Sequence, residues 1–482
     1  MAMAVAQEEE RRAGASTSPL PPPPPRLRFL DTALVPPSPL PPSPPECSLP
    51  LTFFDILWLP FPPVERLFLY RLAPDADVPA ILSNLKESLS LAVRAFYPLA
   101  DLLRLTPGTP DRYELHYRPG DVVAFTVAEY DGGADGIDGI ATDDPREVAR
   151  IAPLVPALPA GGAVLALQAT LLLPAHCGLA IGVAVHHAAI DGSASTHFLH
   201  TWGATACTRV VAPPPPVIDR SLVPDPRGLY DTFIRAMSTS NKMELVEMPA
   251  DQLLATFALS RYDVQRVKDA VAAEAARRGD APPRCTCTSL VATLGFVCEP
   301  EWLRRRPHPR RAPAPTTGDD RTCLLFPVDH RPRMNPPPPD MYLGNCVGPA
   351  LALGPKDALA ARGAGGLLSA CAAVAAGIDE AVSGVGAGSM DAWTGRVMEV
   401  AAAMSMLSVA GSPRFRVYEL DLGFGRPAKV DIVSVLRTGA LAVAESLRGA
   451  GGMEVGVKRP SAAGWHGAVP QVLRRCHRAE LS

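Results

Sequence analysis

The sequence predicts an α/β fold in two halves, each a mixed sheet with flanking helices. Two apolar runs, at residues 163–173 and 179–187, have the length and composition of strands that are buried on both faces. Between residues 78 and 96, leucine and valine recur at helical spacing, which indicates an amphipathic helix packed on a sheet. A proline-rich, charged stretch then divides the chain into two parts that share this mixed pattern.

The elements predicted before the dividing stretch follow from apolar patterning and from start and stop signals. In chain order they are a strand at 26–35, an aromatic-rich core segment at 49–59, a strand at 65–70, the helix at 78–96, the two buried strands, and a helix at 193–207. Pro98 ends the first helix, a serine can begin the second, and four prolines from Pro213 to Pro216 stop it.

After the dividing stretch, the mixed pattern repeats and then becomes rich in strands. The predicted elements are helices at 262–278, 288–306 and 358–382, and strands at 322–328, 414–423, 428–436, 440–447 and 452–458. Residues 1–25 are polar and then polyproline, so we expect a disordered arm there. The predicted organisation is this arm, an N-terminal domain at 26–210, a crossover linker at 211–230 and a C-terminal domain at 231–482.

Composition and charge exclude several classes of protein. Hydrophobic residues make up 47% and charged residues 20% of the 482 residues, which is the composition of a globular chain. A net charge of −3 argues against a nucleic-acid partner. The long uncharged stretch before Asp191 is broken by prolines and glycines, so it predicts a core hairpin and no membrane span. The N-terminus has no apolar segment of a secretory signal, and we expect a cytosolic protein with reduced thiols.

The most informative stretch for function is VAVHHAAIDG at 183–192. A buried strand delivers His186 and His187, and Asp191 follows just before Gly192. A histidine that leaves a strand end into a glycine-containing turn is well placed to meet a substrate. We interpret His187 as a general base for a hydroxyl or amine, with Asp191 holding the local geometry by an ion pair. A structural core histidine is the alternative, and for an isolated His–Asp pair it is the commoner case.

Metal and serine-hydrolase sites are not predicted. His186 and His187 are adjacent, so on a strand they point to opposite faces, and no third ligand stands nearby. Cys285 and Cys287 form a close pair without a second pair or a histidine beside it. No G-x-S-x-G elbow precedes a helix near the histidine.

Several blocks of the sequence are similar to one known family. HHAAIDG, with His187 and Asp191, resembles the HxxxD motif of the plant BAHD acyl-CoA-dependent acyltransferases, and DLGFG at 421–425 resembles their second motif, DFGWG. The two motifs occur in the order and separation of the family, and similar blocks at 49–59, 88–100, 219–231, 342–346 and 408–427 extend the resemblance over nearly the whole chain. YLGNC at 342–346 and SPRFRVY at 412–418 resemble the clade of anthocyanin and phenolic-glucoside malonyltransferases.

The resemblance implies a fold and an activity. The fold is two chloramphenicol-acetyltransferase-like domains joined by a crossover loop, with an active-site channel between them and His187 at its centre. The activity is transfer of an acyl group, malonyl from malonyl-CoA before others, to a sugar hydroxyl of a flavonoid or other phenolic glucoside through one tetrahedral intermediate. The implied partners are these small molecules, with no bound cofactor or metal, and we expect a monomer. Acetyl- or hydroxycinnamoyl-CoA as donor, or a non-catalytic ligand-binding relative, are the alternatives.

The second motif departs from the family pattern at two positions. Leu422 and Phe424 replace the usual Phe and Trp, while Gly423 and Gly425 are kept. In the family this motif lies away from the histidine, so the resemblance implies a structural role for Asp421, as the anchor of an ion pair.

A malonyl carboxylate buried beside the histidine should meet an arginine or lysine. Arg414 and Arg426 are candidates by sequence position, and Tyr342 and Asn345 are further candidates for the substrate and CoA channel. A basic run at 304–311 could attract the CoA phosphates, although such a run is more often a solvated loop.

Overall fold

The structure is a computed structural model, and it describes residues 26–41, 43–133, 135–173, 177–207, 211–239, 252–279, 287–297, 321–359, 361, 363–383 and 389–460. The predicted arm at 1–25, the basic run at 304–311, Cys285 and the end of the helix predicted at 288–306 lie outside these residues.

The described strands belong to three sheets. In chain order they are β1 (Arg26–Val35), β2 (Cys47–Pro50), β3 (Val64–Arg71), β4 (Leu102–Leu105), β5 (Tyr113–Tyr117), β6 (Val123–Asp131), β7 (Arg146–Glu147), β8 (Leu165–Leu173), β9 (Gly178–Val185), β10 (Gln252–Leu259), β11 (Arg321–Asp329), β12 (Val347–Pro355), β13 (Ser405–Ala410), β14 (Lys429–Ile432), β15 (Leu441–Glu445) and β16 (Met453–Pro460). The small sheet has the order β2-β5-β4.

The longer described helices are α1 (Val78–Ala95), α2 (Gly192–Ala206), α3 (Leu229–Thr239), α4 (Arg261–Arg278), α5 (Ser289–Val297), α6 (Ala364–Ser383) and α7 (Trp393–Ala403). Short α-helical turns are Phe53–Ile56, Val148–Ile151, Lys356–Leu359 and Val435–Thr438. Turns of 3-10 helix are Tyr97–Leu99, Ala152–Leu154, Arg220–Leu222, Arg331–Arg333, Ser389–Ala392, Pro413–Phe415 and Val417–Glu419.

The first large sheet contains the buried hairpin that the sequence predicts. Its described strands lie in the order β1-β6-β8-β9-β3-β14, and only β6 and β8 among these neighbours are parallel. Helices α1 and α2 cover one face, where Phe68, Val183 and Phe198 belong to the core. Leu67 and Leu172 lie in the core on the opposite face. Because both faces are covered, β8 and β9 are apolar at nearly every position.

The second large sheet lies in the other half of the chain, with the described order β12-β11-β13-β15-β16-β10-β7. Helices α4, α5 and α6 pack on it through Val267, Val291 and Val374, which share a core with Leu324 and Val455. Helix α7 covers part of the opposite face. The predicted α/β architecture of two mixed sheets with flanking helices is confirmed.

Each half contributes one strand to the sheet of the other half. Strand β14 pairs with β3 at the edge of the first sheet, and β7 pairs with β10 at the edge of the second. Arg146 of β7 and Asp431 of β14 form a buried bidentate ion pair with N–O distances of 2.7 and 2.9 Å. The division at 211–230 into two domains stays a prediction, and the strand exchange interlocks the two halves.

Helix α6 is long and apolar enough to cross a membrane by length and composition alone. In this fold Leu367, Cys371 and Val374 of α6 are buried in the core that it shares with α4, α5 and the second sheet. The predicted absence of a membrane partner stays a prediction.

One predicted element is wrong, and two others are present with different bounds. Residues 414–423 form no strand, because the two 3-10 turns there flank Arg416, whose φ of 51° is left-handed and turns the chain out of an extended path. The strand predicted at 428–436 ends at Ile432, and a helical turn follows at Val435–Thr438. The helix predicted at 358–382 begins at Ala364, after Gly363 with a φ of 78° separates it from the turn before it.

Strand β12 is an element that the sequence analysis missed. It contains Pro349 and ends at Pro355, and prolines count against a strand because they cannot donate to a neighbour. In the structure β12 lies at the edge of its sheet, where the missing donors are tolerated.

Candidate active site

The HHAAIDG motif lies where the first sheet passes into α2. Strand β9 ends one residue before His186. The amide of Ala189 donates to the carbonyl of His186 at 3.0 Å and closes a tight turn that carries His187. Asp191 then caps α2, because its Oδ1 accepts from the amide of Ala194 at 3.0 Å.

The neighbours of His187 determine which ring nitrogen carries the proton. Nδ1 of His187 lies 3.1 Å from Oδ1 of Asn345. The Asn345 amide can take only one orientation, because its Nδ2 donates to Oδ1 of Asp55 and to the carbonyl of His187, both at 2.9 Å. Oδ1 of Asn345 is therefore the acceptor and Nδ1 of His187 the donor. Nε2 of the neutral ring is left with a free lone pair.

The ring of Trp58 stacks on the ring of His187, with centroids 3.8 Å apart and planes at 10°. Burial lowers the pKa of His187 below its usual value, and the charge on Arg66 acts in the same direction, against Asp191 and Asn345. His187 is therefore neutral at neutral pH. The indole face can stabilise an imidazolium when the ring takes a proton, by about 0.5–2 kcal/mol.

His186 has a different role from His187. Its Nδ1 accepts from the amide of Ala188 at 3.2 Å, which holds the turn. Burial, and then the neighbouring His187, lowers the pKa of His186 to about 4, so it stays neutral. His186 is a structural part of the motif.

Asp191 makes its ion pair with Arg331. Its Oδ2 accepts from Nη1 of Arg331 at 2.8 Å and from the amide of Cys346 at 3.1 Å. Both charged side chains are buried, with 0% of Asp191 and 2% of Arg331 exposed. The pair joins the HHAAIDG turn to the 342–346 block, and the part of Asp191 in catalysis stays a prediction.

The 342–346 block is buried under the histidine. Asn345 is fully buried, and its backbone N–H also donates to Oδ1 of Asp55 at 2.9 Å. Tyr342 is fully buried too, and its Oη accepts from Nη1 of Arg220 at 3.1 Å. Arg220 in turn lies 3.4 Å from Oδ2 of Asp55. Asn345 therefore contacts the histidine, whereas Tyr342, predicted as a channel residue, is a core residue.

The part of the two arginines suggested for an acyl carboxylate stays a prediction. Arg414 and Arg426 are both exposed on the surface. Arg66 of β3, which the sequence analysis did not single out, is buried beneath α2 and donates to Oγ1 of Thr196 at 2.9 Å.

Gly192, the first residue of α2, is required by close packing. A Cβ at this position would lie 2.4 Å from Cζ of Phe415. The guanidinium of Arg66 lies over the same phenyl ring, 5.3 Å from its centroid. The SPRFRVY block therefore contributes Phe415 to the packing around the start of α2.

The second motif forms a turn. Oδ1 of Asp421 accepts from the amide of Gly423 at 2.8 Å and from the amide of Gly425 at 3.0 Å. Among the described residues these bonds replace the predicted ion pair. The two glycines have φ values of 97° and 109°, which side chains rarely adopt. Leu422, which precedes Gly423, is fully buried in the core of the first sheet.

This turn supports the far end of α2. The carbonyl oxygen of Asp421 packs so closely on Gly203 that a Cβ there would lie 2.8 Å from it. Gly203 lies about 16 Å along α2 from the first residue of the helix. The ring of Phe424 meets Tyr70 edge-on, with centroids 4.9 Å apart. The second motif therefore lies away from His187, at the opposite end of the helix that Asp191 caps.

In the part of the chain that the structure describes, no group of three or more His, Cys, Asp or Glu is arranged to hold a metal ion. The prediction that the protein needs no metal stays a prediction.

Comparison with known proteins identifies the family. The chain matches the Transferase family over residues 29–463. It belongs to this family, the BAHD acyltransferases. Phenolic glucoside malonyltransferase 2 from Arabidopsis thaliana is 31% identical to it, over 89% of this chain and 95% of the relative. Malonyl-CoA:anthocyanidin 5-O-glucoside-6''-O-malonyltransferase from the same plant is 30% identical, over 88% of this chain and 92% of the relative.

Solved structures agree with the fold. The crystal structure of vinorine synthase superposes with a TM-score of 0.64 at 18% identity, over 90% of this chain and 95% of that one. F. sporotrichioides TRI101, complexed with coenzyme A and T-2, has a TM-score of 0.55 at 14% identity, over 90% of this chain and 98% of that one. The family resemblance seen in the motifs is confirmed, and the chain is an acyltransferase.

Asp55, Trp58, Arg66 and Arg331 were missed by the sequence analysis. For Asp55 there was a signal, since a carboxylate within an aromatic core segment must find a partner. Arg66 lies within the strand predicted at 65–70, at a position that faces the core. As for Asp55, a charged side chain at such a position must find a partner. Trp58 lies in the segment predicted as an aromatic-rich core, and Arg331 follows β11 in a polar segment without any such signal.

Proposed function

We propose that this acyltransferase moves a malonyl group from malonyl-CoA to a sugar hydroxyl of a phenolic glucoside, with His187 as general base. The observation that carries the proposal is the neutral His187 ring, with Nδ1–H held by Asn345 and Nε2 free to accept a proton. The names of the relatives support the donor and the acceptor. Two phenolic glucoside malonyltransferases and an anthocyanidin glucoside malonyltransferase from A. thaliana are 30–31% identical to the chain.

In the proposed reaction the acceptor hydroxyl lies against Nε2 of His187. The ring takes the proton while the oxygen attacks the thioester carbonyl carbon, and one tetrahedral intermediate forms. Its collapse breaks the C–S bond, and the imidazolium returns the proton to the departing thiolate. CoA leaves as the free thiol, the ester is complete and the ring is neutral again.

The surroundings of His187 suit this proton transfer. A thioester is already activated, so the protein has to orient two substrates and supply a base. A lowered pKa keeps the base unprotonated at neutral pH. The transient positive charge on the ring develops between the face of Trp58 and an amide that is itself hydrogen-bonded to Asp55.

A hydroxycinnamoyl donor is the second candidate. Coumaroyl-CoA:anthocyanidin 3-O-glucoside-6''-O-coumaroyltransferase 2 from A. thaliana is 28% identical, over 85% of this chain and 90% of the relative. Acetyl-CoA is a smaller donor that the same chemistry would accept. A non-catalytic relative would bind CoA and give no product with any donor.

We further propose that the protein acts in the cytosol as a monomer on soluble small molecules, without a bound cofactor, metal, nucleic acid or membrane. Light scattering coupled to size-exclusion chromatography tests the monomer, which is expected at the mass of one chain, 51.0 kDa. A stable mass of twice that value would contradict it.

The test of the activity is a mass-spectrometric screen of the purified protein. Malonyl-, acetyl- and coumaroyl-CoA are each supplied with a panel of phenolic glucosides and with the matching aglycones. We expect a product heavier by one malonyl group from a glucoside and none from its aglycone, with free CoA released in equal amount. Product from coumaroyl-CoA alone would favour the second candidate. Absence of product from every donor, with CoA still bound, would contradict transfer.

A further inference from the structure

Arg66 differs from the other buried arginines because no carboxylate among the described residues contacts it. Arg146, Arg220 and Arg331 each lie 2.7–3.4 Å from a carboxylate oxygen, on Asp431, Asp55 and Asp191 respectively. Arg66 is only 5% exposed, yet among the described residues it has the hydroxyl of Thr196 and the face of Phe415 as its partners. A buried guanidinium without an anion is costly, so the site is incomplete as it stands.

The carboxylates whose charge reaches Arg66 are bonded to other groups. Asp191 accepts from Arg331 and from the amide of Cys346. Oε1 of Glu445 accepts from the amide of Tyr418 at 2.9 Å, whereas its Oε2 is buried without a hydrogen-bond partner among the described residues. Burial lowers the pKa of Arg66 to about 10, which leaves the guanidinium charged at neutral pH.

Arg66 faces a small cavity beneath the start of α2. Val64, Val185 and Ser195 line the cavity with it. Strands β3 and β9 are neighbours, and Arg66 pairs with Val183, four residues before His187. Four residues correspond to a separation of at most about 13 Å between the Cα atoms of Val183 and His187. The charge on Arg66 also lowers the pKa of His187, so the two groups lie within electrostatic reach of each other.

We propose that Arg66 binds the free carboxylate of a malonyl donor and thereby selects a dicarboxylic acyl group. The inference rests on the proposed function and deepens it. The acyl carboxylate would accept from the guanidinium donors that Thr196 leaves free, and from the hydroxyl of Ser195, whose present bond to the carbonyl of Gly192 is long at 3.3 Å. The anion would complete the buried pair that the fold leaves open, and the thioester carbonyl would extend towards His187.

The test is donor preference in the variant Arg66→Met. The kcat/KM values for malonyl-CoA and acetyl-CoA are measured with one acceptor for the wild type, for Arg66→Met and for Arg71→Met. Arg71 lies on the same strand with its side chain exposed and paired with Asp138, so it is the matched control. We expect the malonyl-CoA value to fall by about 100-fold in Arg66→Met and the acetyl-CoA value to change by less than about threefold. The control should retain both values.

A second arm uses the wild type alone and is independent of whether Arg66→Met folds. Butyryl-CoA and the methyl ester of malonyl-CoA resemble the malonyl donor in size but carry no acyl charge. We expect each to react at least about tenfold more slowly than malonyl-CoA, in proportion to a lost charged hydrogen bond. Equal rates would overturn the inference.

The variant Glu445→Gln tests whether Arg66 serves a structural partner instead. We expect it to retain the preference for malonyl-CoA, and loss of the preference in this variant would overturn the inference. Malonyl transfer that survives Arg66→Met, or a fall of equal size for both donors, would also overturn it while leaving the proposed function intact. A wild type that transfers no malonyl group would instead contradict the proposed function, and the inference with it.

Discussion

At His187, burial and hydrogen bonding act on the imidazole pKa in opposite directions. Burial lowers the pKa, whereas the bond to Asn345 raises it, and burial is the larger effect. In the proposed mechanism the base form is the active form, so activity should be lost as the pH falls through the pKa of His187 in the folded protein. The acidic limb of kcat/KM should therefore lie below pH 6.5, the usual value for histidine.

The variant Asn345→Ala tests the hydrogen bond that orients the base. Without the acceptor on Nδ1 the pKa of His187 should fall further, so the acidic limb of kcat/KM should move to lower pH. The plateau rate should fall by about tenfold, because the imidazolium loses about one hydrogen bond of stabilisation. A pH–rate profile measures both effects.

Ser48→Ala is the matched control for this change. Its hydroxyl lies 2.9 Å from Nδ1 of His116 in the small sheet, so the variant removes a similar contact from another imidazole. It should leave the limb and the plateau unchanged. An unmoved acidic limb in Asn345→Ala would contradict the orientation derived for His187.

The variant Asp191→Asn tests the buried ion pair behind the motif. Asparagine can still cap α2, but it leaves the buried Arg331 without its buried carboxylate partner. We expect a loss of about 3–5 kcal/mol in the free energy of unfolding, measured by urea denaturation. Asp329→Asn is the control, since Asp329 contacts the same guanidinium at 3.3 Å with 39% of its side chain exposed. This variant should lower the free energy of unfolding by less than about 1 kcal/mol. Equal losses in the two variants would count against the account.

Residues that are adjacent in the chain could be found from the sequence, whereas pairs that meet only in the fold could not. His187 and Asp191 share one short motif. Asn345 was found as a candidate, but its two partners, Asp55 and His187, lie 290 and 158 residues away. No local pattern encodes which distant carboxylate meets which amide, so the role of Asn345 emerged only from the structure.

At the scale of elements, helix α2 connects the two motifs of the family. Asp191 caps its first turn, and the Asp421 turn packs against its last third. The helix thereby joins the turn of the second motif to the turn that carries His187.

The variant Asp421→Ala should act on stability and leave the chemistry intact. It removes the acceptor of two backbone amides, which should lower the free energy of unfolding by about 1–2 kcal/mol. The KM values for donor and acceptor should stay unchanged in the folded variant. Glu419→Ala, which removes an exposed partner of Arg416, is the control and should cost less. A large fall in kcat without loss of stability would place Asp421 in the catalytic machinery and contradict the account.

Element prediction succeeded where burial is uniform and failed where the backbone departs from regular geometry. The hairpin of β8 and β9 was predicted because strands that are covered on both faces have continuous apolar runs. The segment at 414–423 alternates like a strand, but Arg416 adopts a left-handed conformation and the amide of Tyr418 donates to Glu445. Side-chain pattern alone does not report such a turn.

At the scale of the whole molecule, the exchanged strands should make the two halves unfold together. Strand β14 completes the first sheet and β7 completes the second, and Arg146 with Asp431 forms a buried pair between them. The boundaries predicted from composition follow the proline-rich stretch. Composition does not show that a strand from each half pairs with the other sheet.

The variant Arg146→Met tests this connection. It leaves Asp431 buried without its cation, so we expect the free energy of unfolding to fall by about 3–5 kcal/mol. Calorimetry of the wild type should show a single cooperative transition. Arg448→Met is the control, because Arg448 pairs with Asp143 while 70% of its side chain is exposed, and it should cost under about 1 kcal/mol. Two separate transitions in the wild type would contradict the coupling of the halves.

The central claim is that Nε2 of His187 is the base for acyl transfer, and the rate of the variant His187→Ala tests it most directly. The variant should retain the unfolding midpoint and the CoA affinity of the wild type while kcat falls by about 100- to 10,000-fold. Mass spectrometry of the ester product, with the wild type measured in parallel, gives the ratio. A folded, CoA-binding variant with kcat within tenfold of the wild type would contradict the claim.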